Sequence, residues 1–295
     1  MTKNLLIEWF LTNSCNYDCI YCPSHLKDGK LSSWPLEKLK IAYHNIIDQA
    51  TKFNFNIVKI QVNGGEPTNC ESFRELLISD LNPLIQFKLI SNGSADLEWW
   101  KTISHKICEI DLTYHLQCDI NHFKKVVERF LEHHRMISIR IPMPLDPLKW
   151  QIAFKAYKEL LIYDLNPEMV MLYKNLSKGS NQYLDYTKDQ WDTYFQHKGI
   201  SNLSDNLIPA DTVEFKKINF LNDFYGHLCY AGVEQVVINY FGDVFRGWCY
   251  SNAPMGNVFN NTFELNPKPL PCPKAQCGNG FDLKAKKSNK SWGIS

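Results

Sequence analysis

The chain has 295 residues, a formal net charge of +1, 44% apolar and 21% charged residues. That length suits one large barrel or about two domains at ~150 residues each. The near-zero charge gives no reason to expect a nucleic-acid or membrane surface, and no stretch approaches the ~20 apolar residues that span a bilayer.

The first apolar run, Leu5 to Leu11, reads as a buried strand. It is too short for a signal peptide, carries Glu8 and precedes no small-residue cleavage site, so the expected location is the cytoplasm. There, ten cysteines point to metal rather than disulfides. Cys15, Cys19 and Cys22 follow the run, spaced C-x3-C-x2-C, with Tyr21 before the third. Three thiolates can hold three irons of a [4Fe–4S] cube and leave the fourth open. Zinc wants four ligands and would have to borrow one, such as His25.

An amphipathic stretch over 36–52 leads to a second apolar run, Ile57 to Val62, and then Gly64-Gly65-Glu66-Pro67. Alone, that tetrapeptide is an ordinary turn. Further strands are expected at 84–91, 107–115, 136–142 and 168–173, with helices at 71–80, 95–105, 121–134 and 148–163. Phe73, Leu76, Leu77 and Leu81 mark the helical period well. Strand–helix alternation at this pitch means a parallel sheet with right-handed crossovers. Chemistry in such barrels sits at the C-terminal strand ends. Ser91, Asn92 and His115 fall there, as do two thiols, Cys70 and Cys118. Cys108, Met169 and Met171 read as core, and Arg140 lies within the fifth strand.

Residues 174–228 are rich in Asn, Asp, Tyr and Lys and read as a linker with one helix near 187–197. Two strands at 233–240 and 243–248 meet at Phe241-Gly242-Asp243, a hairpin signal. Cys229 and Cys249 bracket that hairpin. Cys272 and Cys277 form C-x4-C, with Pro271 and Pro273 stiffening their approach. Four cysteines suit a structural zinc as well as an iron–sulfur cluster. The lysine-rich end from Lys284 reads as a solvated tail.

The cysteine triplet after one strand and Gly64 to Pro67 after the next, in that order, resemble the radical S-adenosylmethionine (SAM) superfamily. Cys229-Tyr230-Ala231-Gly232, Gly242, Cys249 and Gly256-Asn257-Val258 resemble its C-terminal SPASM extension, or the shorter twitch form. The resemblance implies an α/β fold: a partial (β/α)6 TIM-like barrel over 1–175, a linker over 176–228, a small β-hairpin auxiliary module over 229–283 and a tail over 284–295. It implies that Cys15, Cys19 and Cys22 hold a SAM-binding [4Fe–4S] cluster, and that Cys229, Cys249, Cys272 and Cys277 hold one auxiliary [4Fe–4S] cluster. Around SAM it places Tyr21, Gly64, Gly65, Glu66 and Pro67, with the Glu66 carboxylate toward the amine. Ser91 and Asn92 meet ribose or methionine, Arg140 meets the carboxylate, and His115 faces cofactor or substrate.

The implied reaction is reductive cleavage of SAM to a 5′-deoxyadenosyl radical, then hydrogen abstraction. A fully ligated auxiliary cluster can accept an electron, which favours net oxidation of a small molecule by a radical SAM oxidoreductase. The alternatives are a radical epimerase or peptide-modifying enzyme with Cys118 or Cys70 as hydrogen donor, or a non-enzymatic iron–sulfur or zinc protein. Implied partners are a small-molecule or peptide substrate and an electron donor such as flavodoxin or ferredoxin, with no nucleic acid and no membrane. The cluster loop begins at residue 15 with no peptide-binding domain before it, which leads us to expect the small molecule.

Overall fold

Alternation along six parallel strands gives the sheet two unlike faces. The strands are β1 (Asn4–Thr12), β2 (Ile57–Gly64), β3 (Ile85–Ser91), β4 (Ile107–Thr113), β5 (Met136–Met143) and β6 (Glu168–Met171). The computed structural model describes residues 3–30, 34–174, 182–198, 223–277 and 280–288. One face carries Ile7, Trp9, Ile60, Phe87, Leu112 and Ile141, all at most 1% exposed. It joins the buried stripes of the helices in one core. Each such side chain contributes about 1.5–3 kcal/mol on burial.

The helices are α1 (Leu36–Lys52), α2 (Glu71–Ile78), α3 (Leu97–Ile103), α4 (Ile120–Leu131), α5 (Pro147–Leu160) and α6 (Lys188–Lys198). Asp96, Asp119 and Asp146 cap α3, α4 and α5 by accepting from first-turn N–H groups. Helix α4 stops short of the expected 134, where His134 takes a φ of 52°. After α5, a 3-10 turn over Leu161–Tyr163 closes at Asp164 with φ 54°.

The other face of the sheet is polar, which the apolar runs did not announce. Register aligns Glu8 with Gln61, Gln61 with Lys88 and Lys88 with Glu109 across four strands. Glu109 takes bonds of 2.5 Å from both Lys59 and Lys88. Lys88 also pairs with Asp111 at 2.9 Å.

The C-terminal part adds β7 (Leu228–Cys229), β8 (Gln235–Ile238), β9 (Val244–Phe245), β10 (Leu270–Pro271), α7 (Gly280–Lys284) and β11 (Lys287–Ser288). The hairpin of β8 and β9 forms at Gly242, whose φ is 82°. It does not stand apart from the barrel. Strand β8 pairs in parallel with β1, Leu6 opposite Gln235 through Trp9 opposite Ile238. The result is one eight-stranded sheet, ordered β6-β5-β4-β3-β2-β1-β8-β9. The physical reason is that β2 satisfies only one edge of β1, and the other would present unpaired backbone groups. All four residues of β8 are buried.

A second sheet, β10-β7-β11, carries the remaining module. Its small core gathers Phe224, Cys229, Ala231, Cys272 and Ala285. Buried Arg246 ties it together, donating to the carbonyls of Ala231, Cys229 and Leu270. Helix α6 lies where a helix over 187–197 is expected. Most of the linker, 175–181 and 199–222, and the tail beyond Ser288 lie outside the described residues. No helix among the described residues is long and apolar enough to cross a membrane.

Candidate functional site

The loop after β1 and the turn after β2 lie against each other, and two glycines permit it. Gly65 N donates to Thr12 O at 2.7 Å and Glu66 N to Ser14 O at 2.8 Å. A Cβ on Gly65 would sit 2.3 Å from the Ser14 carbonyl oxygen; on Gly64, at φ 139°, it would sit 2.2 Å from that of Thr12. Only glycine fits where one backbone presses on another. The contact sets the backbone immediately before Cys15. Further along the loop, Asn92 Nδ2 donates to Asn16 Oδ1 at 2.9 Å, and Lys27 Nζ donates to Cys19 O at 2.7 Å. Cys22 N donates to Cys19 O at 3.1 Å, folding the end of the triplet into a turn.

Cys19 is buried, and Cys15 and Cys22 are half-buried. Burial pushes all three thiols up; Glu66, Cys19 and Cys22 raise Cys15 further, and Cys19 raises Cys22. Buried thiols coupled in this way ionise together only beside a strong positive charge. That donor set fits an iron–sulfur cluster, whose ligands must be thiolates. Among the described residues no three His, Cys, Asp or Glu side chains converge closely enough to hold a single metal ion.

Glu66, expected to meet the SAM amine, has its carboxylate held by protein donors. Its side chain turns inward and is 1% exposed. Oε1 accepts from Thr68 N at 3.0 Å, Thr68 Oγ1 at 2.7 Å and Ser91 Oγ at 2.8 Å; Oε2 accepts from Asn92 N at 2.6 Å. Burial raises its pKa against the pull of those four donors. Ser91, also buried, is spent on Glu66 and on accepting from Gly93 N. Asn92 is spent on Glu66 and Asn16. These three residues knit the ends of β2 and β3 to the cysteine loop. Pro67 is buried in the 3-10 turn that follows.

His115 sits just past β4, with Nδ1 at 2.6 Å from the Tyr21 hydroxyl and 3.3 Å from Cys19 Sγ. Burial pushes its pKa down to about 4, so the ring is neutral. Arg140 is half exposed. It lies on the polar face of β5, 3.8 Å from Glu168.

The two thiols raised as hydrogen donors are withdrawn from solvent. Cys70 is 1% exposed, at the start of α2 with Ser72 Oγ at 3.4 Å. Cys118 is 7% exposed, packed beneath Tyr17 and within its hydrogen-bond reach. Neither lines the cleft that opens beside the cysteine loop. That cleft, about 1190 Å³, runs from Cys19, Tyr21 and Cys22 across the C-terminal ends of β5 and β6 to Pro142, Leu145 and Tyr173.

The second cysteine group is coupled electrostatically. Burial raises Cys272, and Cys229 and Cys249 raise it further. Cys277 is pushed up to about 11 by burial, with Lys287 pulling the other way and Cys272 adding to the rise. The buried Asp282 carboxylate accepts from Trp248 N and Cys249 N, each at 2.9 Å, and so fixes the Cys249 loop. Nothing in the sequence marks Asp282, Arg246 or Tyr17 for these tasks, because their partners are remote in the chain.

No family model matches the chain. It is 27% identical over 160 residues to the uncharacterized protein MJ0907 of Methanocaldococcus jannaschii. That match takes in 52% of this chain and 49% of the relative, so the chain spans about half the length of the curated relative it matches. Among solved structures it is similar to native anSMEcpe with bound AdoMet, with a TM-score of 0.50 and 18% identity, covering 89% of this chain and 81% of that one. It is also similar to Streptococcus suis SuiB bound to precursor peptide SuiA, with a TM-score of 0.52 and 14% identity, over 88% of this chain and 63% of that one. Identities this low speak for shared architecture, and the parallel sheet with its cysteine loop at the strand ends supplies the same answer from inside the molecule. The chain has the fold of the radical SAM enzymes that carry a C-terminal SPASM/twitch-type module.

Proposed function

We propose that this chain is a radical SAM enzyme that oxidises a peptide substrate. One observation carries the reading: Cys15, Cys19 and Cys22 share the loop after β1, and Cys19 and Cys22 open on a large cleft. Cys15, Cys19 and Cys22 would hold the SAM-binding [4Fe–4S] cluster. Bound there, it would supply the electron that splits SAM into methionine and a 5′-deoxyadenosyl radical. The chain's own residues do the rest. Arg140 lies on the polar face with one ion pair among the described residues, a long one to Glu168, and would take the SAM carboxylate. Leu145, Pro142 and Tyr173 wall the cleft with apolar surface and would keep water from the radical.

Cys229, Cys249, Cys272 and Cys277 would hold the auxiliary cluster and accept the substrate's electron. The burial of Cys70 and Cys118 supports oxidation over epimerisation. The cysteines that line the cleft, Cys19 and Cys22, both belong to the cluster set. The similar SuiB binds a precursor peptide, which favours a peptide over the small molecule expected from the sequence. A flavodoxin or ferredoxin would deliver the first electron.

The test is anaerobic reconstitution with iron and sulfide, then incubation with SAM and reductant, following 5′-deoxyadenosine by mass spectrometry. Wild type is expected to form it, and the Cys15→Ala/Cys19→Ala/Cys22→Ala variant to form none. A triple variant as active as wild type would sink the proposal.

A further inference from the structure

The three thiols of the cysteine loop have unequal surroundings. Cys15 Sγ accepts from the backbone N–H of Tyr17 at 3.4 Å, and Cys22 Sγ lies 3.8 Å from the Pro23 carbonyl. Cys19 alone, among the described residues, meets polar side chains. Its sulfur is 3.3 Å from His115 Nδ1 and 3.7 Å from Gln117 Oε1. The Tyr21 hydroxyl lies 2.6 Å from the same His115 nitrogen and within hydrogen-bond reach of the same sulfur.

The imidazole has little freedom to leave. Tyr21 stacks on it with ring centres 6.0 Å apart at 14°, and Tyr17 packs edge-on at 5.7 Å and 71°. Neighbours decide which ring nitrogen carries hydrogen. A sulfur bound to iron only accepts, so hydrogen on Nδ1 suits the 3.3 Å contact with Cys19 Sγ.

We propose that His115, with Tyr21, is a positioning pair that donates hydrogen bonds to the Cys19 thiolate and makes the cluster easier to reduce. The inference rests on the function proposed above. Hydrogen bonds to ligand sulfurs draw off negative charge, and they are one of the protein's levers on iron–sulfur potential. Because only one of the three ligands is treated this way, the effect on charge is lopsided. Neither residue needs to touch substrate for this role.

The experiment is an EPR-monitored redox titration of the full-length reconstituted protein. The relevant cluster is identified as the one whose signal SAM perturbs. His115→Phe keeps an aromatic ring and removes the donor; we expect unchanged iron content and a more negative potential. His115→Asn sets an N–H near the Nδ1 position and should recover most of the shift. Tyr21→Phe should move the potential in the same direction by less. A loaded His115→Phe that titrates with wild type overturns the inference and leaves the proposed function standing. If His115→Phe takes up no iron, a Tyr21→Phe at wild-type potential overturns it equally. A wild type that loads no cluster refutes the proposed function, and this inference with it.

Discussion

Replacing Glu66 with Gln should first destabilise the protein and only second affect SAM. The carboxylate is 1% exposed and accepts four hydrogen bonds, three on Oε1 and one on Oε2. A glutamine has one oxygen. If that oxygen takes the three bonds of Oε1, the amide NH2 faces the Asn92 N–H, now 2.6 Å away, donor against donor. The backbone N–H of Asn92 is then buried without an acceptor. A bond to a charged group is worth about 1.5–3 kcal/mol, and an orphaned buried donor costs about 1–3 kcal/mol. These overlap, so the net loss is about 2–4 kcal/mol, or roughly 3–6 °C in Tm for a chain of this length. The assay is thermal unfolding of metal-free protein without SAM, by circular dichroism. An unchanged Tm with weakened SAM binding in the loaded enzyme would refute the reasoning and return the carboxylate to the SAM amine.

Other outcomes follow from the same geometry. Gly65→Ala should lower Tm and cut iron uptake at the first cysteine group, because its Cβ would strike the Ser14 carbonyl; normal uptake would mean the loop yields freely. The fully loaded protein should hold roughly eight irons in two cubes, and the Cys15/Cys19/Cys22 triple Ala variant should keep the auxiliary half. Zinc and about four irons in the wild type would contradict this. Glu109 feels burial pushing its pKa up, but Lys59 and Lys88 outweigh it and hold it below 4.5. A depressed carboxylate stabilises the fold above its unfolded pKa of about 4.3 and loses that contribution as pH falls through the folded value. Glu109→Gln should therefore be less stable at neutral pH and show a shallower acid limb in unfolding titrations; an acid limb as steep as wild type's would speak against it. Cys70→Ala and Cys118→Ala should each keep most turnover, with product formed in deuterium oxide carrying no deuterium on carbon. Deuterium at carbon, lost with activity in either variant, would install the epimerase instead.

The barrel was legible because local pattern carries it. Period-two apolar runs and the helical stripe at Phe73, Leu76 and Leu77 each need only neighbours in the chain. Ends were less legible: β4 stops at Thr113 because the next residues turn, Cys118 N bonding back to His115 O at 2.9 Å. The position of β8 could not be read, because Gln235 and Leu6 meet across most of the sequence. Side-chain direction was hidden in the same way. Nothing in Gly64-Gly65-Glu66-Pro67 says that the carboxylate points in toward Ser91 and Asn92. Nor does His115 announce a cysteine that lies 96 positions earlier.

The seating of β8 on β1 bears on how this molecule can be cut. A fragment ending after α6 would lose no strand of the six-unit core, yet it would strip the outer edge of β1 along Leu6 to Trp9. That edge would present unpaired backbone groups, the kind of template on which chains stack into aggregates. The complementary fragment would fare no better, since Val236 and Ile238 are wholly buried in the shared core. The module is thus less an accessory than a keystone, and the spacing between the two cysteine groups is set by a strand pairing rather than by the length of a linker.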